Sequence, residues 1–396
     1  MRIPFLPLLP LLLLIPPSLA RTHPRPPRDW ETLDDALLSR VARADPQPWT
    51  SVNEGHLGSM LVPRPAGSDG NAAVREYIRG VFERLGWHVE QDTFTGKTPE
   101  GDIEFTNLIA TYDPEAERKV VLAAHHDSKW FPHPPESEFI GATDSAAPCA
   151  MLLDLAEFIT PALDARRERL EEHDDDEDDD ERDAARTTLQ MVFFDGEEAF
   201  HDWTATDSIY GSRHLAERWE STFLPPTHPY HATHPKRRMD PNPTVLHTIE
   251  HLILLDLLGS AQPRILKWYR ETGWLFDEMR RADERLRASG LVQSTRGDEW
   301  FSSQVFGGTI EDDQVPFIER GVNVFHVIPY PFPTVWHTIK DDATALDMPT
   351  MHRWNLILRV FTLEYLGLPP PPPVGASRQK RSHEEETHTH TRHREL

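Results

Sequence analysis

Only one cysteine, Cys149, occurs in the 396 residues, so no intramolecular disulfide can form and stability must come from a packed core. Acceptors for N-linked glycans are missing as well. Asn242 is followed by proline, and no other asparagine has serine or threonine two residues on. Basic residues are scarce, with 41 Lys and Arg against 65 Asp and Glu and a net charge of −24. That balance disfavours a phosphate backbone, and no nucleic-acid partner is expected. Apolar stretches approaching membrane length are lacking beyond the N-terminus.

Hydrophobic residues make up 38% of the chain and tryptophan occurs eleven times, which indicates a packed globular domain. The negative charge is unevenly spread. Glu171 to Asp183 holds eleven acids and one arginine, leaving −14 elsewhere. That run reads as a solvated loop kept open by like-charge repulsion, an insertion in the domain rather than part of its core. At the N-terminus Arg2, the apolar run Leu6 to Ile15 and the small-x-small site Ser18-Leu19-Ala20 form an export signal over residues 1–20. Residues 21–29 are a proline-rich lead-in, 30–368 a single catalytic domain, and 369–396 a disordered tail. The tail ends His393-Arg394-Glu395-Leu396, similar to receptor-read retrieval signals. The expected location is the secretory pathway, with the protein either secreted or retained in the endoplasmic reticulum or Golgi.

Hydrophobic periodicity predicts helices over Gly70 to Leu85, Ala147 to Ile159, Ser208 to Trp219, Gly273 to Ala288 and Thr350 to Leu366. Strands are predicted over Phe105 to Tyr112, Val120 to Ala124, Leu189 to Phe194, Leu252 to Leu257 and Val322 to Ile328. The last four are almost continuously apolar, as strands buried on both faces are. The alternation implies an α/β fold, a three-layer α/β/α sandwich around a mixed, mostly parallel sheet.

Polar residues collect where such a sheet binds ligands, beyond the carboxyl ends of its strands. Val120 to Ala124 runs into His125-His126-Asp127, Leu189 to Phe194 into Asp195-Gly196-Glu197-Glu198, and Leu252 to Leu255 into Asp256. Val322 to Ile328 leads to Trp336-His337, and Gly141-Ala142-Thr143-Asp144 precedes a helix. Any one of these reads equally as a helix cap or a loop stabiliser. Five together match the nitrogen and oxygen donors of a zinc site with one open position.

The stretches LAAHHDSK, GATDSAAPCAM, FFDGEEAF, DSIYGSRHLA, LLDLLG, IEDDQVPF and PFPTVWHT resemble those of the animal-type glutaminyl cyclases, which belong to the zinc aminopeptidase clan. The resemblance extends from about Leu33 to Leu368. It implies one Zn2+ held by Asp144, Glu198 and His337, with Glu197 as general acid and base. Asp256 and Asp312 would be its hydrogen-bonded support, and Trp203, Phe332 and Trp336 the substrate pocket. His125 matches a ligand of the second metal of the aminopeptidases. The implied reaction closes the N-terminal glutamine of peptides or proteins into pyroglutamate with release of ammonia, carried out by a monomer with no membrane span after signal cleavage.

Four positions depart from the family pattern. Ala124 replaces a cysteine that would pair with Cys149, Glu311 a glutamine, Gln314 a histidine, and His126 a tyrosine. A two-zinc aminopeptidase is the strongest rival, with His125 and Asp256 completing a second site around a shared Asp144. Trp203 and the PFP-x-VWHT loop favour the cyclase, because an aromatic pocket suits a small planar lactam. A non-catalytic binding ectodomain is the third reading, disfavoured because no presumed ligand is missing.

Overall fold

The computed structural model describes residues 30–43, 55–172, 179–234, 242–293, 298–305 and 308–371. The signal at 1–20, the lead-in at 21–29, the middle of the acidic run and the HREL end lie outside the described residues. In chain order the first elements are α1 (Asp35–Arg43), α2 (Gly55–Met60), α3 (Asp69–Arg84), β1 (His88–Thr98), β2 (Gly101–Thr111), β3 (Arg118–His125), α4 (Ala147–Glu172), α5 (Asp179–Ala185) and β4 (Thr187–Phe194). There follow α6 (Tyr210–Ser221), α7 (Tyr230–Thr233), β5 (Ile249–Leu255), β6 (Ile265–Lys267), α8 (Gly273–Ala288), β7 (Phe301–Val305), α9 (Val315–Ile318), β8 (Val324–Val327) and α10 (Met348–Leu366).

The six-stranded sheet has the order β1-β2-β4-β3-β5-β8. β4, β3, β5 and β8 pair in parallel, and the hairpin β1-β2 adds to β4 antiparallel. Successive residues of a strand face opposite sides, and here each side has its own core. Val120, Leu122, Leu189, Met191, Phe193, Ile253 and Leu255 pack with α3, α4, α8 and α10. Val121, Ala123, Val192, Phe194, Leu252 and Leu254 pack with α6 and α9. The result is the expected α/β/α sandwich with a mixed sheet.

Some boundaries differ from the sequence pattern, each for a physical reason. β1 was not anticipated, because as an edge strand it buries only Asp92 and its polar alternation carries no apolar signal. α4 continues thirteen residues past Ile159 through Pro161, which lies on the exposed side while Ala162 and Leu163 stay buried. The helical stretch Glu136–Glu172 is long and apolar enough to cross a membrane, yet 89% of its apolar window is buried within the fold. α6 starts at Tyr210, because Ile209 adopts a left-handed conformation (φ 43°).

The acidic run is not a loop at its described ends. Glu171 and Glu172 complete α4, and α5 places Glu181 beside Arg166 and Arg169, and Asp183 near Arg118 and Arg186. The start of the proline tail is likewise fixed, because Arg40 of α1 donates to the carbonyls of Pro370 and Pro371. Buried ion pairs lock the helical layer: Arg359 of α10 to Asp154 of α4 at 2.9 Å, and Arg353 of α10 to Asp283 of α8 at 2.7 Å.

Candidate active site

Four parallel strands end on one edge of the sheet, and the turns leaving them are shaped by two glycines. Gly196 follows β4 with φ 70°, and a Cβ there would stand 2.4 Å from the Phe105 ring. Gly141 has φ 59°, and a Cβ would meet the Asp144 carbonyl at 2.2 Å. Both turns thus require glycine, and they deliver Glu197-Glu198 and Asp144 to the same buried space.

There His337 Nε2 lies 3.4 Å from Asp144 Oδ2 and 3.3 Å from Glu198 Oε2. His337 itself has a left-handed backbone (φ 53°), which turns its ring inward from the loop after β8. Asp144 Oδ2 and both Glu198 oxygens are buried with no hydrogen-bond partner. One ligand atom from each of Asp144, Glu198 and His337 lies within 4.8 Å of the others. Burial by itself lowers the His337 imidazole, but Glu198 and Asp144 reverse this and push it up to about 10. Asp144 is held well below the usual carboxylate range, because His125 and His337 outweigh its burial. Buried, bondless carboxylate oxygens beside an imidazole call for a cation, and this donor set fits zinc.

Asp144 is shared with a second group. His125 Nε2 lies 3.0 Å from Asp144 Oδ1 and 3.5 Å from Asp256 Oδ1, with its Nδ1 3.3 Å from Asp127 Oδ1. Against the cost of burial these carboxylates hold the His125 imidazole well above its ordinary value.

Glu197 is buried beside this cluster. Burial raises its carboxyl well above the ordinary value; His125 opposes the rise, and Glu198, Asp312 and Asp313 add to it. Asp312 accepts from His326 Nε2 at 2.8 Å and from the amide of Asp313 at 2.6 Å. Asp256 accepts from Ser145 Oγ and from the amide of Leu257, and burial followed by Asp312 pushes it up to about 6. Among the described residues, no hydrogen bond joins Glu197 directly to Asp256 or Asp312. Of the two, Asp312 acts on Glu197 through its charge.

Three supporting residues were given no role of their own by the sequence. Asp127 accepts the amides of both Glu197 and Glu198 at 3.2 Å, setting the pair in place. Arg64, fully buried, donates to the carbonyls of His126, Ile140, Gly141 and Asp144 and so clamps the loop that carries Asp144. Asp341 accepts the amide of Thr143 at 2.9 Å on the other side of that loop, and burial followed by Asp144 pushes its carboxyl up to about 7. Asp127 was visible in the HHD motif; Arg64 had no local signal at all.

The aromatic residues surround the opening. Trp336 stacks on the His337 ring at 3.9 Å, and Phe332 meets Trp336 edge-on at 5.0 Å. Trp203 and Trp336 remain 39% and 40% exposed, too open for core packing alone to account for them. Asp207 holds the Trp203 loop by accepting the amides of Phe200, His201 and Asp202. Glu311 acts through its side chain, with Oε2 accepting from Trp203 Nε1 at 3.1 Å. Gln314 donates to Tyr269 Oη and to the Ile310 carbonyl. Cys149 is a free buried thiol, donating to the His125 carbonyl and pushed up to about 12 by burial.

A profile described as Peptidase family M28 matches residues 107–362. A glutaminyl-peptide cyclotransferase-like protein of Mus musculus is 42% identical over 342 residues, 85% of this chain and 80% of that protein. The glutaminyl-peptide cyclotransferase of Bos taurus is 41% identical over 339 residues, 84% of this chain and 88% of its own length. The crystal structure of Macrostomum lignano glutaminyl cyclase superposes with a TM-score of 0.71 at 36% identity, covering 88% of this chain and 97% of that one.

Proposed function

The chain belongs to peptidase family M28 and, within it, to the glutaminyl-peptide cyclotransferases, and on that footing we propose that it converts the N-terminal glutamine of peptides and proteins to pyroglutamate, releasing ammonia. The observation that carries the reading is the trio of buried Asp144 and Glu198 with half-buried His337, beside a carboxyl, Glu197, whose proton affinity is raised.

The reaction forms a bond from the α-nitrogen to the γ-carbonyl carbon and breaks the carbon–nitrogen bond of the side-chain amide. Asp144, Glu198 and His337 would hold zinc, which supplies Lewis-acid polarisation of the γ-carbonyl. Glu197 accepts a proton from the attacking amine and returns one to the departing nitrogen, and a raised proton affinity suits a group that must do both. Phe332, Trp336 and Trp203 would clamp the aliphatic part of glutamine and exclude water that would hydrolyse the amide. Because nucleophile and electrophile share one molecule, fixing the folded conformer of the glutamine supplies much of the rate. Asp312 would tune Glu197 by charge, Asp256 would support the site beside it through Ser145 and His125, and the enzyme would act as a monomer in the secretory pathway.

A Gln-Ala amide is the deciding substrate. Ammonia with an N-terminally blocked product is expected. Free glutamine would identify an aminopeptidase instead.

A further inference from the structure

The rim of the pocket carries a carboxylate, Glu311, that cyclisation does not use. Ile310 packs against the cluster of Leu257, Leu266, Trp268 and Ile328, while Asp312 is buried and bonded to His326. Glu311 between them is thus held at the mouth, and its side chain is exposed. Its carboxylate takes the indole N–H of Trp203 from a loop 108 residues away in sequence. Among the described residues no lysine, arginine or histidine lies within ion-pair distance of it. Lys129 is engaged elsewhere, donating to the Ala199 carbonyl at 2.9 Å and facing Glu198 at 3.6 Å.

An exposed tryptophan face with an anion on its N–H edge is a cation receptor with two components. The ring attracts a cation over its face, and the carboxylate pairs with it. A negative acceptor on the N–H also polarises the indole, which strengthens the first component.

Resting on the cyclase reading, we propose that Trp203 and Glu311 form a subsite for a lysine or arginine side chain in the substrate segment that follows the N-terminal glutamine. With the glutamine held against Phe332, Trp336 and one side of Trp203, the residues that follow it run past the Trp203–Glu311 pair, which joins the loop after Glu198 to the loop before Asp312. A basic side chain there replaces solvent at the carboxylate; an acidic one meets repulsion.

The test compares kcat/KM for Gln-Lys-Ala, Gln-Ala-Lys, Gln-Ala-Ala and Gln-Glu-Ala amides on the wild-type enzyme and on Glu311→Gln. Glutamine still accepts the indole hydrogen bond, so Trp203 keeps its place while the charge goes. At least one lysine peptide is expected to exceed the alanine peptide by about three- to tenfold, the size of an exposed ion pair with an exposed cation–π contact. In Glu311→Gln that ratio should fall to about two or less, and in the wild type it should shrink at about 0.5 M salt. Equal kcat/KM for the lysine and alanine peptides, or a lysine preference that survives Glu311→Gln, overturns the subsite. No turnover of Gln-Ala-Ala, or release of free glutamine from it, overturns the cyclase reading instead.

Discussion

Glu197 and the acids around it set the chemistry at the scale of single residues. Glu197→Gln keeps the volume but cannot accept the amine proton. Turnover should fall by roughly 10²–10⁴ with zinc content unchanged by elemental analysis; joint loss of zinc and activity would make Glu197 a ligand. Its proton affinity also predicts a pH effect. Asp312 is one of the charges that raise it, so Asp312→Asn should lower the Glu197 pKa and move the acid limb of kcat/KM to lower pH. A limb that stays in place would mean that Asp312 does not act on Glu197 by charge. His126 offers a stability test. It is fully buried, and burial lowers its imidazole from 6.5 to about 4. The unfolded chain therefore binds the proton first, and the contribution of His126 is complete above pH 6.5 and lost as pH falls towards 4. Relative to His126→Gln, the wild type should lose about 3 kcal/mol over that window, measurable by urea unfolding at several pH values. The positions of the strand-end acids were legible because polar residues directly after apolar runs stand out. The substitutions at 311 and 126 were equally visible, but which atoms they use was not.

At the scale of elements, loops are the working parts and the sheet is their frame. The loop 140–144 is held by Arg64 from one side and Asp341 from the other. Arg64→Lys keeps the charge but not the forked guanidinium that reaches several carbonyls together. We expect zinc to be lost to a chelator at least tenfold faster, and the melting temperature to fall by about 5–10 °C. Zinc release unchanged in a folded Arg64→Lys protein would reduce Arg64 to a packing role. The central strands and α8 were readable from periodicity alone. β1, β6 and β7 were not, because the exposed edge strand β1 and the segments ILK and FSSQV contain too few apolar positions to form a pattern, whereas the equally short β8 is apolar at three of its four positions.

For the whole molecule, one zinc per chain is expected by elemental analysis, and His125→Ala should keep measurable cyclase activity, since His125 belongs to the second group and not to the trio. Two tightly held zincs with peptidase activity would reverse the assignment. Composition, strand–helix alternation and the polar residues closing each apolar run determined the fold class, the edge of the sheet that bears the site, and the family, because these are properties of local sequence order. Tertiary structure alone decided that Arg64 braces the loop of Asp144, that the ends of the acidic run are helical and ion-paired, and that Glu311 meets Trp203. Each of these depends on contacts between residues from 12 to 108 positions apart, and such contacts are not written in the order of neighbouring residues.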